Sequence, residues 1–296
     1  MQKQMKNNQD NSWSFEGIRK KILKIYHDNN SVLDECVLIN IRRIYYLSMV
    51  AIPLRIIDIL LFSLNKSHET EVLKTWSQGI IITHFILLII MVVFFLMSNR
   101  LRKRKEPNST MYIMQYAIVI VIMVSGIVLV TIDQLVTTNI TPLLLTCIIV
   151  GAVFIIRPAI SLIIYIATYM AYYNLIAITI TNQQVLLSNR VNGITAVGIG
   201  YLLSIIIWYY NFTNITQKRR IEIQQKQLEH LAYFDSLTEI PNRHLFDKLI
   251  KQELSSIRSD SHETVLIILD IDNFKKINDT YGHPVGDILL KQLADF

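Results

Sequence analysis

Between Ile44 and Ile215 the apolar positions do not alternate with polar ones; they run together in blocks. Each block is roughly 20 residues long, the length a helix needs to cross a bilayer. Six spans are predicted, at about 44–64, 78–98, 111–132, 137–156, 159–180 and 194–213. Gly79 to Met97 and Met111 to Ile132 contain no Asp, Glu, Lys or Arg. Helices are expected because a backbone facing lipid must satisfy its own hydrogen bonds. Ahead of the spans, residues 1–43 form a mostly polar segment, too long and too polar for a signal peptide. In it Phe15, Ile18, Ile22 and Ile25 recur at helical spacing, with Lys20, Lys21 and Lys24 on other faces. Two arrangements fit: an amphipathic helix on an anionic lipid surface, or a solvated helix docked on the soluble part. After the spans, residues 214–234 lack Gly and Pro, and Ile221, Leu228 and Leu231 are compatible with a heptad seam. This connector reads as a helix leaving the sixth span, either paired with a second copy or unpaired.

Charge sharpens the division. Residues 1–213 carry 18 Lys/Arg and 10 Asp/Glu, net +8; residues 214–296 carry 11 and 13, net −2. Charged residues make up only 18% of the chain, below the roughly 25% of soluble domains. The basic residues flank apolar blocks instead of forming one stripe, so nucleic-acid binding is not expected. They report topology. Arg19, Lys20, Lys21, Lys24, Arg42 and Arg43 precede the first span, and the second is followed by Arg100-Leu101-Arg102-Lys103-Arg104-Lys105. Arg157 joins the fourth and fifth spans, and Lys218, Arg219 and Arg220 follow the sixth. The alternate loops hold only Lys66, Lys74 and Arg190. A multi-pass protein of a bacterial cell membrane with both termini in the cytoplasm is predicted. Two cysteines, Cys36 and Cys147, exclude a disulfide scaffold and read as small buried hydrophobes. Within the spans, Arg55 and Asp58 are three residues apart and can neutralise one another on one helix face. Such a pair is either a functional site or a structural contact inside the bundle. His84 reads as a packing or hydrogen-bonding residue in preference to a ligand, and Tyr172-Tyr173-Asn174 as an interfacial belt in preference to a pocket wall.

In residues 235–296, Asp235-Ser-Leu-Thr-Glu-Ile-Pro-Asn-Arg243 precedes an amphipathic stretch with Leu245, Phe246, Leu249, Ile250 and Leu254 at helical spacing. After a polar break at Ser255 to Glu263, Thr264 to Leu269 is an unbroken apolar run, the pattern of a strand buried on both faces. It ends in Asp270-Ile271-Asp272. Alternation sends the two carboxylates to opposite faces, so one can line a metal site while the other is structural. A carboxylate at a strand end is a hard-oxygen ligand suited to magnesium carrying nucleotide phosphates. Asn273-Phe274-Lys275 opens a helix-like segment whose amides suit phosphate, and Lys275 suits developing phosphate charge. Asn278 and Asp287 carry groups able to pair with a base edge, and Gly282 and Gly286 permit tight turns. A capped strand followed by a solvated helix accounts for the same residues.

The two blocks, Asp235 to Arg243 and Leu269-Asp-Ile-Asp-Asn-Phe-Lys-Lys-Ile-Asn-Asp-Thr-Tyr-Gly-His-Pro-Val-Gly-Asp287, resemble the first half of a GGDEF domain, the catalytic domain of bacterial diguanylate cyclases. The resemblance covers about 233–296. The six-span region resembles, in architecture, membrane sensor modules joined to such cyclases. The resemblance implies a six-helix membrane domain followed by the first part of a ferredoxin-like α/β nucleotide-cyclase domain. It implies condensation of two GTP into cyclic di-GMP and pyrophosphate by facing domains of a homodimer, with Mg2+ or Mn2+ assisting phosphoryl transfer. The metal would be held by the Asp270 carboxylate and the Ile271 carbonyl. Asn273, Phe274 and Lys275 would contact phosphate, with Lys275 stabilising the transition state. Asn278 and Asp287 would read guanine, His283 would lie beside the nucleotide, and Asp235, Asn242 and Arg243 would couple connector to domain.

The Gly-Gly-Asp/Glu-Glu-Phe loop that names the family does not occur before Phe296. Residues 235–296 are therefore expected to form an incomplete site, poorly stable, with their one apolar strand exposed at an edge. The sequence is expected to be a fragment of a longer protein, since its motif residues show no decay. Two other readings stand beside the cyclase: a membrane receptor or degenerate GTP-binding protein without activity, and a six-span transporter. The transporter lacks an internal repeat or paired Gly/Pro-broken segments.

Overall fold

The structure, a computed structural model, describes residues 15–64, 70–256, 265 and 267–295, with the side chains of 15–31 and 254–256 excluded. The face predicted from Phe15, Ile18, Ile22 and Ile25 therefore lies outside the described side chains, as does most of the polar break at Ser255 to Glu263. The chain divides into two compact units, Met1–Thr216 and Gln217–Phe296.

The first unit is helical. Its elements are α1 (Phe15–Leu64), α2 (Glu71–Leu101), α3 (Ser109–Asp133), α4 (Thr141–Val153) and α5 (Pro158–Leu175), which ends in a 3-10 turn at Ile176–Ile178. A sixth helix, α6 (Gln183–Tyr233), runs past the unit boundary. Local chemistry sets the starts. Thr70 Oγ1 accepts the Leu73 amide at 3.3 Å, and Asn108 Oδ1 accepts the Met111 amide at 3.1 Å. Each satisfies a donor the first turn leaves open. Pro142 and Pro158 occupy the first turns of α4 and α5, where no intrahelical N–H is needed.

Among the described residues, five helices are long and apolar enough to cross a membrane, counting α1 from Val32. The predicted span at 137–156 is not one uninterrupted helix. The α4 helix has 13 residues, about 20 Å at 1.5 Å per residue, shorter than the roughly 30 Å hydrocarbon core. The Phe154 amide makes the last helical bond, to the Val150 carbonyl at 3.2 Å, and the chain becomes extended there, with Phe154, Ile155 and Ile156 buried. Asn40 of α1 compensates. Its Nδ2 donates to the Ile155 carbonyl at 2.9 Å and its Oδ1 accepts the Ile155 amide at 2.9 Å. The same Nδ2 donates to Gln115 Oε1 at 2.9 Å, which ties α3 to the break. Arg43 Nη1 donates to the Val153 carbonyl at 2.7 Å. Non-helical backbone at such a place is tolerated because protein groups pair with it.

The core draws on all six helices, with Ile41 and Ile44, Met91 and Phe94, Met111 and Ile118, Leu143 and Cys147, Tyr165 and Leu186 buried together. Small residues allow close approach, as lipid-embedded helices commonly require. A Cβ at Gly151 would strike the Gly200 carbonyl, and one at Gly126 would overlap Thr146. Both cysteines are buried, as the sequence indicates. Large apolar side chains cover the outside; Leu61, Ile113, Ile163 and Leu202 are each at least 60% exposed. That surface suits hydrocarbon and not water.

The belt reading of Tyr172 is corrected. Tyr172 is fully buried and donates through its hydroxyl to the Asn189 carbonyl at 2.9 Å. It shares one α5 face with Ser161, Tyr165 and Thr168, at spacings of three and four residues, and that face turns inward. Tyr173 is exposed, with the Arg190 guanidinium 3.6 Å over its ring.

In the second unit, the described elements beyond α6 are α7 (Arg243–Ser256), α8 (Phe274–Tyr281) and α9 (His283–Ala294), plus one antiparallel bridge between Phe234 and Pro241. The predicted strand at Thr264–Asp270 is not formed among its described residues: Val265, Ile267, Ile268 and Leu269 are 75–84% exposed and make no ladder. A strand exists only through partners, and the described residues supply none. Likewise Phe246 and Leu249 on the apolar side of α7 are about 45% exposed, and Ile221, Leu228 and Leu231 of the connector are more than 60% exposed.

The Asn40 clamp is open to direct test. Asn40→Leu strands the Ile155 amide and carbonyl, each costing about 1–3 kcal/mol when buried unpaired. Thermal unfolding in nanodiscs should show a midpoint several degrees lower. Ser48→Ala removes a buried hydroxyl that has no partner among the described residues and should leave the midpoint unchanged.

Candidate functional site

The connector turn is built first by Asp235. Its Oδ1 accepts the amides of Leu237 at 3.0 Å and Thr238 at 2.9 Å, and the Thr238 hydroxyl at 2.8 Å. Its amide donates to the Ile240 carbonyl at 2.9 Å. Glu239 takes a left-handed conformation, φ 58°, to close the turn. The Thr238 amide and hydroxyl, then the Leu237 amide, hold the Asp235 carboxyl below its ordinary pKa, since all three bonds favour the charged form.

Asn242 then works in both directions. Its Nδ2 donates to the Ala232 carbonyl and its amide to the Tyr233 carbonyl, both at 2.9 Å, which caps the end of α6. Its Oδ1 accepts the amides of His244 at 3.0 Å and Leu245 at 3.1 Å, which caps the start of α7. The Tyr233 and His244 rings stack at 5.6 Å, with Lys248 Nζ 4.9 Å over Tyr233. Thus Asp235 and Asn242 form one polar hinge between two helices. Arg243 is the exposed first residue of α7.

The second cluster surrounds α8 and α9. Asn273 has φ 59°, and its carbonyl accepts the amides of Lys276 at 2.9 Å and Ile277 at 3.3 Å. Asparagine tolerates this left-handed position better than most residues. Phe274 and Lys275 follow in the first turn of α8, whose amides lack intrahelical acceptors. Gly282, φ 85°, separates α8 from α9, a conformation that favours glycine. The half-buried Asn278 rests against Gly286, where a Cβ would collide with Asn278 Oδ1 and come within 3.3 Å of Phe274 Cζ. A glycine at 286 therefore lets Asn278 sit one residue from Asp287. His283 is the exposed first residue of α9, and Asp287 is exposed on the same helix.

Asp270 and Asp272 are exposed and Ile271 is half-buried, in a stretch without regular structure. Among the described residues no hydrogen bond or ion pair joins Asp270, Lys275 and Asp287, and no three His, Cys, Asp or Glu side chains gather as a metal cluster. The donor chemistry at 270–271, a carboxylate beside a carbonyl, still suits a hard cation. The structure thus brings together Asn278 and Gly286 beside Asp287, and Asp235 with Asn242, and it leaves Asp270 apart. Sequence reading passed over Gly286 as a contact surface and Asn40 altogether. A signal for the second was present: Asn40 precedes Arg43 on one helical turn at the edge of the first apolar block.

Residues 232–296 match the family described as diguanylate cyclase, GGDEF domain. This segment of the chain is a GGDEF-domain segment. The chain is 40% identical over 73 residues to diguanylate cyclase DgcS of Shewanella oneidensis, a match covering 25% of each chain. It is 42% identical over 82 residues to cyclic di-GMP phosphodiesterase PdeR of Escherichia coli, covering 28% of this chain and 12% of that protein. It is 39% identical over 70 residues to the bifunctional diguanylate cyclase/cyclic di-GMP phosphodiesterase MucR of Pseudomonas aeruginosa, covering 24% and 10%. The chain thus spans a quarter or less of the length of these relatives. No solved structure matches.

The hinge predicts a local effect. Asn242→Ala in the full chain should speed amide exchange at the first turn of α7 about fivefold, from the loss of roughly 1 kcal/mol of capping, read by hydrogen–deuterium exchange. The Asp235 turn contributes stability above the ordinary carboxylate pKa of about 3.9 and loses it as pH falls through the lower folded value. Exchange at Leu237 and Thr238 should therefore accelerate only in that acid range.

Proposed function

We propose that this chain is the membrane region and first catalytic part of a diguanylate cyclase, which joins two GTP into cyclic di-GMP and pyrophosphate under control of its membrane helices. What carries the reading is the GGDEF-domain segment, in which Asp270-Ile271-Asp272, the Asn273-Phe274-Lys275 helix start and the Asn278–Gly286 contact beside Asp287 occur in order. The complete domain would take the ferredoxin-like α/β fold, with Thr264–Asp270 paired in its sheet. Asp270 and Ile271 would hold Mg2+ or Mn2+, which supplies charge neutralisation at the reacting phosphate and a more acidic attacking hydroxyl.

The chain's own residues have separable tasks. The first-turn amides of α8 at Asn273, Phe274 and Lys275 bind phosphate oxygens, and the Lys275 ammonium sits where charge develops in phosphoryl transfer. Asn278, held against Gly286, and Asp287 pair with the guanine edge, while His283 flanks the nucleotide. Two such domains in a homodimer present their GTP molecules to one another. Asp235, Asn242 and Arg243 would couple α6 to the domain, a role supported by the hinge that Asp235 and Asn242 form between the two helices and by the place of Arg243 at the start of α7.

The protein would sit in a bacterial cell membrane among its lipids, with both termini in the cytoplasm and α4 with its buried extension as a sixth crossing, a reading that the five membrane-length helices support. The distribution of Lys and Arg supports that orientation. A second reading has one specific support. A relative named as a cyclic di-GMP phosphodiesterase is 42% identical over 82 residues, which supports a GGDEF protein that binds GTP without cyclase activity.

Two experiments decide. In the complete protein, Asp270→Ala should abolish cyclic di-GMP formation while expression and membrane insertion persist; unchanged product rejects the assignment. A reporter that is active only outside the cytoplasm should stay dark when fused after Asn214, and a bright fusion contradicts the topology.

A further inference from the structure

The first unit contains a cavity of about 430 Å³ between α1, α2, α3 and α4. Its walls are mostly apolar, with Ile80, Leu87 and Met91 from α2, Ile122 from α3 and Ile149 from α4. From Ile122 to Asp133 the α3 wall runs 11 residues, about 16 Å at 1.5 Å per residue. Asp133 and Asn139 mark one end of the cavity. Trp76 Nε1 donates to Asp133 Oδ1 at 3.0 Å there, which joins the start of α2 to the end of α3.

Besides Ser125, Thr141, Thr146 and the Asp133–Asn139 end, two polar side chains interrupt the apolar walls, Arg55 of α1 and His84 of α2. Arg55 lies nine residues before the end of α1, about 14 Å along its axis. Its Nη1 donates to His84 Nδ1 at 2.6 Å and lies 3.3 Å from Asp58 Oδ2. An Nδ1 that accepts this bond carries no proton, so the ring proton is on Nε2 and His84 is neutral. The 3.7 Å approach of His84 Nδ1 to Asp58 is accordingly a contact between a neutral ring and a carboxylate. Both bonds of the guanidinium use one nitrogen. Among the described residues, the Nε and Nη2 donors of Arg55 and the Nε2–H of His84 have no partner. Ser125 and Thr146 direct their hydroxyl protons to backbone carbonyls of their own helices, so the donors left open midway along the cavity belong to Arg55 and His84, and a guanidinium edge is shaped for two oxygens of a carboxylate.

We propose that this cavity binds a small amphipathic carboxylate, its head on Arg55 and His84 and its apolar body along Ile80, Leu87 and Ile122. Asp58 leaves the guanidinium edge open because it takes only Nη1. The volume falls in the range of about 300–1,000 Å³ that small-molecule sites occupy. Asp133 at one end disfavours placing the anionic head there. The site stands without the cyclase reading, since occupancy is measured without nucleotide.

The test uses the full chain in phosphatidylcholine nanodiscs and radiolabelled decanoate, with empty nanodiscs subtracted. Saturable binding of one decanoate per chain is expected, with 1-decanol competing at least tenfold less well. Arg55→Gln should weaken decanoate at least tenfold and bring the alcohol and the acid to parity. Ile122→Trp fills the cavity without touching a charge and should abolish binding of both. Where Arg55→Gln fails to insert, the decanol comparison and Ile122→Trp decide. Uptake equal to empty nanodiscs, decanol competing as well as decanoate on the unaltered chain, or full binding by Ile122→Trp overturns the proposal. So does native mass spectrometry showing a phospholipid held in the cavity that decanoate does not displace.

Discussion

A peptide group withdrawn from water needs a protein partner, and the membrane unit rests on how that demand is met between α4 and α5. The chain leaves the helix at Phe154 and re-enters one at Pro158. In between, the buried Ile155 has neither a helical nor a sheet partner, and Asn40 supplies both its donor and its acceptor. That one side chain also reaches Gln115, so three separate parts of the chain meet at a single amide group. Buried networks of this kind are stabilising only when every member is satisfied, and here the described bonds satisfy the amide and the carbonyl of Ile155 together.

The same economy of donors runs through the unit. Tyr165 donates to the Cys147 carbonyl at 2.8 Å, Tyr172 to Asn189, and Ser161 to Ser204 at 2.6 Å. Helices in lipid gain little from hiding apolar surface from one another, so close packing at small residues and such bonds must hold them. Gly151 and Gly200 permit the approach that brings Cys147 and Tyr165 into range. The Arg55–His84 pair departs from this pattern, because donors remain over among the described residues. That surplus lies along an apolar cavity and gives the region its chemical character.

The second unit obeys a different rule. Its turns are complete in themselves: Asp235, Asn242 and Gly282 satisfy nearby backbone or adopt conformations that near neighbours dictate. Its apolar faces are not complete, and Val265 to Leu269 and the outer side of α7 remain exposed among the described residues. Local hydrogen bonding can form a hinge or a cap without distant partners, whereas a sheet strand and the helix that covers it require them. The residues for nucleotide chemistry follow this split. Asn278 and Gly286 meet because one short turn brings α8 and α9 together, while Asp270 depends on a strand.

From the amino-acid order alone came the apolar blocks, their alternating flanks of positive charge, the burial of both cysteines and the GGDEF motif with its spacing. These depend on composition over one or two helical turns, or on residue types at short fixed distances, and such quantities are local. Tertiary structure alone decided that the block at 137–156 breaks into a short helix and a buried extended turn, that Tyr172 faces inward, and that Arg55 meets His84 across two helices. Each depends on groups 29 to 115 residues apart in the pairs measured, such as Arg55 with His84 and Asn40 with Ile155, or on which face of a uniformly apolar helix is covered. Hydropathy cannot distinguish lipid from protein as the neighbour of an apolar residue, so only packing settles those faces.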